Sequence, residues 1–152
     1  MKEKIYHLGI KALIRNPSGE VLLLKVNQEK FKNPKPESYW DIPGGRVLSG
    51  HTIEETLSRE VEEETGLTAL ESFEPIDTVV SNIEIPLEGE QKAGLVLSIY
   101  NCLLRDGAKI KLSEEHTEFS WFSPKEAGHL LSYKYPVSFT EKVIKLGSVK
   151  KI

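Results

Sequence analysis

The sequence predicts an α/β fold in which helices cover a central mixed β-sheet, and three observations point there. Segments with strand character lie both before and after one amphipathic helical stretch, so the strands do not form a separate all-β unit. Two stretches, TIEE from Thr52 and SPKE from Ser123, open on helix N-terminal signals, and a third, VSFTEKVIKLG, closes on Gly147. The length, 152 residues, suits a single domain with a buried core.

In chain order, the alternating apolar residues of YHLGIKALIRN and the apolar run VLLLKV read as two strands joined into a hairpin by NPSG. NQEKFKNPKPESY is polar with two prolines and reads as a loop. Its Lys30, Lys32 and Lys35 either meet phosphates or form a solvated basic patch. A helix follows from Thr52 to Thr65, with Thr52 and Glu55 as a capping box and Gly66 as C-cap. DTVVSNIEI and GLVLSIYNCLL, rich in β-branched residues, read as long strands separated by PLEGEQKAG. In SPKE, Ser123 is the N-cap, Pro124 takes the first helical position and Glu126 the box position, which predicts a second helix over about 124 to 131. The third helix ends at Gly147, and there is no internal repeat.

Composition removes several function classes. A formal net charge of −3 supplies no basic surface for duplex nucleic acid, although a single nucleotide remains open. The single cysteine, Cys102, excludes an intrachain disulfide and a thiolate zinc cluster and reads as a small buried hydrophobe. No stretch approaches the roughly 20 apolar residues of a membrane span. MKEKIYHLGIKALIRN lacks a continuous apolar core or a small-residue cleavage site, so a reducing cytoplasm is the simplest compartment.

The segment REVEEETG, Arg59 to Gly66, carries the chemistry. Carboxylates at a helix C-terminus face the negative end of the macrodipole and cost about 0.3–1 kcal/mol each. Glu60 and Glu64 add an i,i+4 repulsion. Taking Glu60 as origin and about 100° per residue, Glu63 falls at about 300° and Glu64 at about 40°, with Ile53, Leu57 and Val61 at about 20°, 60° and 100°. The acidic group therefore overlaps the apolar stripe, where an ordinary solvated helix keeps the two apart. Carboxylates so placed line a cleft beside the core, and a hard divalent cation, Mg²⁺ or Mn²⁺, relieves their repulsion. A solvated acidic helix end paired with Lys or Arg is the plain alternative.

GRVLSGHTIEETLSREVEEETGL, Gly45 to Leu67, resembles the Nudix box, the signature of hydrolases that cleave nucleoside diphosphates linked to another moiety. Gly45, Arg59, Glu60, Val61, Glu63, Glu64, Gly66 and Leu67 match the pattern, while His51 stands where the pattern has its first glutamate. The flanking YWDIPGG and EEHTEFSWFSPKEA are also similar to segments around that box, so the likeness spans most of the chain.

The resemblance implies a Nudix α/β/α sandwich with a central mixed sheet, in which Glu60, Glu63 and Glu64 hold Mg²⁺ or Mn²⁺ beside a backbone carbonyl of Gly44–Gly45. It gives Arg59 the task of orienting the carboxylates, and its i,i+4 spacing names Glu63 as partner. His51 is expected to weaken support of the loop without abolishing metal binding. Glu115 and Glu118 are the candidates for a further catalytic or metal-linked carboxylate, with His116 a loop residue. Trp40, Arg46 and Glu115 are the substrate-binding candidates; Tyr39 and Trp40 either stack on a base or, for Trp40, join the core. The implied activity is metal-dependent attack of water on phosphorus in a substrate such as a (d)NTP, in a nucleotide-pool sanitation role. Glu63, Glu64 or a later glutamate takes the proton. The partner is then a nucleotide-type small molecule, a homodimer is left open, and a non-catalytic nucleotide sensor is the alternative that His51 raises.

Overall fold

A computed structural model of the chain describes residues 2–27, 38–68, 70–105 and 108–147, so Lys30, Lys32 and Lys35 lie outside the described residues. The elements are β1 (Tyr6–Arg15), β2 (Val21–Val26), β3 (Trp40–Asp41), β4 (Gly44–Arg46), α1 (Ile53–Thr65), β5 (Leu70–Val80), β6 (Ile85–Pro86), β7 (Lys92–Leu104), β8 (His116–Phe122), α2 (Pro124–Leu130) and α3 (Val137–Leu146). The main sheet runs β3-β2-β1-β7-β5, with β4 on β1, β8 on β2 and β6 on β7. β1 and β7 are parallel from Tyr6 beside Gly94 to Arg15 beside Leu103. The other ladders are antiparallel, which makes the sheet mixed.

Both faces of the central strands are covered, which is why VLLLKV is a continuous apolar run rather than an alternating one. On one face Leu13, Val21 and Leu23 pack with Ala127, Phe139 and Val143 from α2 and α3 and with Leu131 at the end of α2. On the other, Ile10, Ala12, Ile14, Leu22 and Leu24 meet Leu57 and Val61 of α1. The result is a helix/sheet/helix sandwich. Cys102 is fully buried in the second core, and burial pushes its thiol up to about 12, as suits a small apolar residue.

The hairpin between β1 and β2 closes as expected, with the Gly19 N–H donating to Asn16 O at 2.9 Å and Gly19 in the left-handed region at φ 83°. It is short, because β4 takes the edge of β1 from Gly9 to Lys11. Three strand features depart from the expectation. DTVVSNIEI is not one strand: β5 ends at Val80, after which Ser81 and Asn82 turn away to hold the α2–α3 connection. Ser81 Oγ donates to Lys134 O at 2.7 Å, and Asn82 Nδ2 donates to Tyr135 O at 2.9 Å. β5 instead begins at Leu70, and register shifts between Glu71 and Phe73 and between Pro75 and Asp77 accommodate the proline. β8 extends through HTEFSWF, so His116 starts a strand opposite Val26 rather than lying in a loop.

Candidate active site

Helix α1 starts at the predicted cap, where Glu55 N–H donates to Thr52 Oγ1 at 3.1 Å, and it stops at Gly66 with φ 76°. Its inward stripe is Thr56, Leu57, Val61, Glu64 and Thr65. Ile53, expected inside, is 39% exposed because it sits in the first turn beyond the edge of the core. The angular order separates the carboxylates as well. Glu64, closest in angle to Leu57 and Val61, is buried at 3% exposure, whereas Glu63 is exposed. Glu64 Oε2 accepts one N–H, from Gly44 at 3.3 Å. Burial, reinforced by Asp41 and Glu60 and opposed by Lys11 and the Gly44 N–H, pushes its carboxyl up to about 8.

The two glycines before the helix have different tasks. At Gly44, with φ 151°, a Cβ would lie 2.1 Å from Ile10 O, so no side chain fits without moving backbone. At Gly45 φ is not positive, and a Cβ would fall 2.4 Å from Cδ of Glu60, the mobile end of a side chain. Gly45 is thus the cradle for the Glu60 carboxylate. Gly45→Ala is expected to change stability by less than about 1 kcal/mol, since only that carboxylate must move, yet to weaken divalent-cation binding about 10-fold or more. Calorimetric titration with Mn²⁺ alongside a thermal melt checks both halves, and unchanged affinity would show that Glu60 contributes nothing to a cation site.

Arg59 does not reach along the helix to Glu63. Its Nη2 donates to Glu60 Oε1 at 3.1 Å and its Nη1 to His51 Nδ1 at 2.8 Å, so it bridges the turn before the helix to the carboxylate under Gly45. The expected loosening at His51 is offset because the imidazole offers the acceptor that an acidic residue would offer, without its charge. His51→Glu should raise stability by up to about 1 kcal/mol through a charged contact near the helix start, with turnover maintained. A melt and a rate measurement on that variant test this; loss of both would assign the histidine another task.

Behind the carboxylates lies a buried charged cluster that the sequence reading did not single out. Asp41, 3% exposed, accepts from Lys11 Nζ at 3.1 Å, Lys134 Nζ at 2.6 Å, the Tyr135 hydroxyl at 2.6 Å and the Ile42 N–H at 2.7 Å. Burial pushes the Asp41 carboxyl up, but Lys11, Lys134 and the hydrogen bonds from Lys134 and Tyr135 outweigh it and hold it well below the usual carboxylate range. Burial and the Asp41 charge drive the Tyr135 hydroxyl well above its ordinary value. One signal was available: Lys11 is a lone charge within the apolar run of β1.

Asp41, its two lysines and Glu64 line one cleft of about 360 Å³, whereas Glu60, Glu63 and Arg59 lie outside its lining. Lys11, Asp41, Lys134, Glu64, Glu115, His116, Arg46, Gly44 and Gly45 form its polar lining, and Ile83, Ile85, Leu95, Leu97 and Tyr39 are among its other walls. Ligand atoms of Glu64, Glu115 and His116 lie within 4.8 Å of one another. Of the two later glutamates, the fold brings Glu115 to Glu64 and leaves Glu118 exposed on β8, outside the lining. Trp40 also lies outside it, its ring edge-on to Phe122 at 5.1 Å and packed on the core, while Tyr39 takes the cleft side.

The NUDIX domain family matches residues 5–142. The chain belongs to the Nudix family. It is similar to the nucleoside triphosphatase NudI of Escherichia coli, 29% identical over 121 residues that cover 77% of this chain and 82% of that protein. Among solved structures it is similar to a MutT protein from Methanosarcina mazei Go1, 30% identical with TM-score 0.66 and coverage of 97% of each chain. A Caenorhabditis elegans Ap4A hydrolase shares the fold, with TM-score 0.68 at 19% identity, covering 93% of this chain and 95% of that one.

As a Nudix hydrolase the chain acts on pyrophosphate bonds, and the family generally uses a divalent metal. The residues present fit such an ion. Among the described residues Glu64 is an enclosed carboxylate with a single long N–H contact, an expensive arrangement for an anion without a cation beside it. Glu60 is held a short distance away in a glycine cradle that a methyl group would fill. Among the described residues, no helix is long and apolar enough to cross a membrane.

Proposed function

We propose that this Nudix hydrolase cleaves nucleoside triphosphates with Mg²⁺ or Mn²⁺, in a nucleotide-pool sanitation role. The observation that carries the reading is the cleft in which Glu64 and Glu115 face each other beside Arg46, Lys11 and Lys134, acids for a cation and cations for phosphate oxygens. The relative named as a nucleoside triphosphatase supports the substrate class. Glu60, Glu63 and Glu64, with the Gly44 carbonyl and Glu115 across the cleft, would hold the metal. A divalent cation bound there would neutralise phosphate oxygens and make the attacking water more acidic.

The chain's own groups divide the remaining work. Arg46, on β4 at the cleft, binds phosphate oxygens. Lys11 and Lys134 line the cleft and are pinned by Asp41, so their charges stay in place without reordering when substrate enters. Tyr39 and the apolar wall of Ile83, Ile85, Leu95 and Leu97 receive the base. Glu64, enclosed, serves as ligand, and Glu115, exposed at the opening, offers one carboxylate oxygen to the metal and takes the proton of the attacking water on the other. The sensor alternative loses its basis, because His51 keeps Arg59 on Glu60.

A panel of NTPs, ADP-ribose, dinucleoside polyphosphates and nucleotide sugars, assayed with Mg²⁺ and Mn²⁺ for released products, tests the proposal. The highest kcat/KM is expected for an NTP. Turnover of a dinucleoside polyphosphate or a nucleotide sugar more than about 10-fold faster would overturn the substrate class, a gap of about 1.4 kcal/mol in transition-state binding.

A further inference from the structure

We infer that His116 supplies a nitrogen ligand to a divalent cation held between Glu64 and Glu115, and that this position selects Mn²⁺, Co²⁺ or Zn²⁺ over Mg²⁺. The inference rests on reading the cleft as the metal site, and adds a donor that the glutamate pattern of the helix does not contain. Its first support is geometric. One ligand atom from each of Glu64, Glu115 and His116 lies within 4.8 Å of the others. First-row cations hold oxygen and nitrogen at about 2.0–2.2 Å, so donor atoms around one ion stand up to about 4.4 Å apart. Side-chain adjustments of a few tenths of an ångström close the site.

The second support is independent of the acids. His116 Nδ1 is enclosed without a hydrogen-bond partner among the described residues. Buried ring nitrogens ordinarily find one, and an orphan costs about 1–3 kcal/mol. The backbone holds the residue firmly all the same: His116 opens β8 opposite Val26, and its N–H is directed at Ser113 O. A ring fixed by its strand, beside two carboxylates and bonded to neither a backbone carbonyl nor a hydroxyl among the described residues, is placed as a ligand rather than as a structural hydrogen bonder.

The chemistry then sets the choice of ion. Mg²⁺ favours an all-oxygen shell and gives up its waters reluctantly. Imidazole suits Mn²⁺ less than Zn²⁺, but any of the first-row ions accepts it better than Mg²⁺ does. The two lysines nearby do not cancel the site, because both are tied to Asp41.

The test is pulsed electron paramagnetic resonance of Mn²⁺ bound to the full chain, unlabelled and with ¹⁵N-histidine, together with calorimetric titration of Mn²⁺ and Mg²⁺. The expected result is a histidine nitrogen coupling in the unmodified protein that disappears in His116→Gln. Mn²⁺ affinity in that variant should fall at least about 10-fold, the scale of losing even an outer partner of a ligand, and Mg²⁺ affinity should change less than about 3-fold. Should His116→Gln not fold, persistence of the coupling in His7→Gln, His51→Gln and His129→Gln makes the same assignment by elimination. Mn²⁺ binding without nitrogen coupling, or coupling that survives His116→Gln, overturns the inference and leaves the carboxylate site standing. No divalent binding in any form would sink both.

Discussion

Glu64→Gln is expected to turn over at least about 100-fold more slowly than the wild type while melting no lower in EDTA, the scale expected when a metal-held nucleophile is misplaced. Glutamine keeps the shape and an oxygen for the Gly44 N–H, but it offers one weaker oxygen to a cation. Without metal, the wild-type carboxyl is an enclosed acid raised from 4.5 to about 8. The sign follows from proton binding: between those values the folded state holds a proton that the unfolded state has released. The contribution of Glu64 to stability is therefore fully present below pH 4.5 and lost as pH rises through about 8. The glutamine variant has no such loss, so in EDTA its advantage over the wild type should grow across that window, and added Mg²⁺ or Mn²⁺ should reverse the order. Melting at several pH values in EDTA and in metal, beside turnover, checks this. Near wild-type turnover with a lower melt in EDTA would make Glu64 a structural residue.

Asp41→Asn should be the most destabilising conservative change at the cleft, by roughly 3–5 kcal/mol. The substitution leaves Lys11 and Lys134, 6% and 8% exposed, without the carboxylate that both of them touch. For a chain of this size that corresponds to a fall of about 10 °C in Tm. The pH dependence has the opposite sign to that of Glu64. Asp41 is held below its ordinary 3.8, so its contribution is present above that value and lost as pH falls through the lowered one. The variant should accordingly lack part of the wild-type acid limb. Adding Lys134→Met removes the surplus cation and should recover a good part of the loss, a coupling that a double-mutant cycle measures directly. Additive losses would mean that the lysines are neutralised elsewhere.

What the sequence disclosed and what it withheld divide along a physical line. The glutamates of α1 were legible as a group on the inward side, but the sequence reading placed Glu63 with Glu64 in the cleft, whereas the structure buries Glu64 and leaves Glu63 exposed, the order that their helical angles imply. The sandwich was legible from runs such as VLLLKV and from the caps at Thr52 and Ser123, all of them local signals. The Asp41 cluster was not. It joins β1, β3 and the α2–α3 connection, and Lys134 lies 93 positions from the carboxylate it touches, a distance no periodicity spans. Arg59 was assigned to Glu63 because i,i+4 spacing was the only neighbour relation visible, whereas the structure offered His51 on the preceding turn and Glu60 beside Gly45. β3 and β4, two and three residues long, are too short to carry a period, and they exist through their partners on β2 and β1.

The parallel pairing of β1 with β7 also spreads the parts of the site along the chain. Along one edge β1 meets β4, which in turn carries α1, so the contacts of the glycine cradle with Ile10, Lys11 and Glu60 all lie within the first 65 residues of the chain. Along its other edge it waits for a strand that begins at Lys92, and closing so long a loop is entropically slow. Glu115 and His116 arrive with β8, and Lys134 only with the segment between α2 and α3. During synthesis the acidic half of the cleft therefore has its fold partners available well before the lysines that complete the opposite wall. In that interval β1 presents one unpaired edge, the stage at which the emerging chain is most exposed to wrong strand partners.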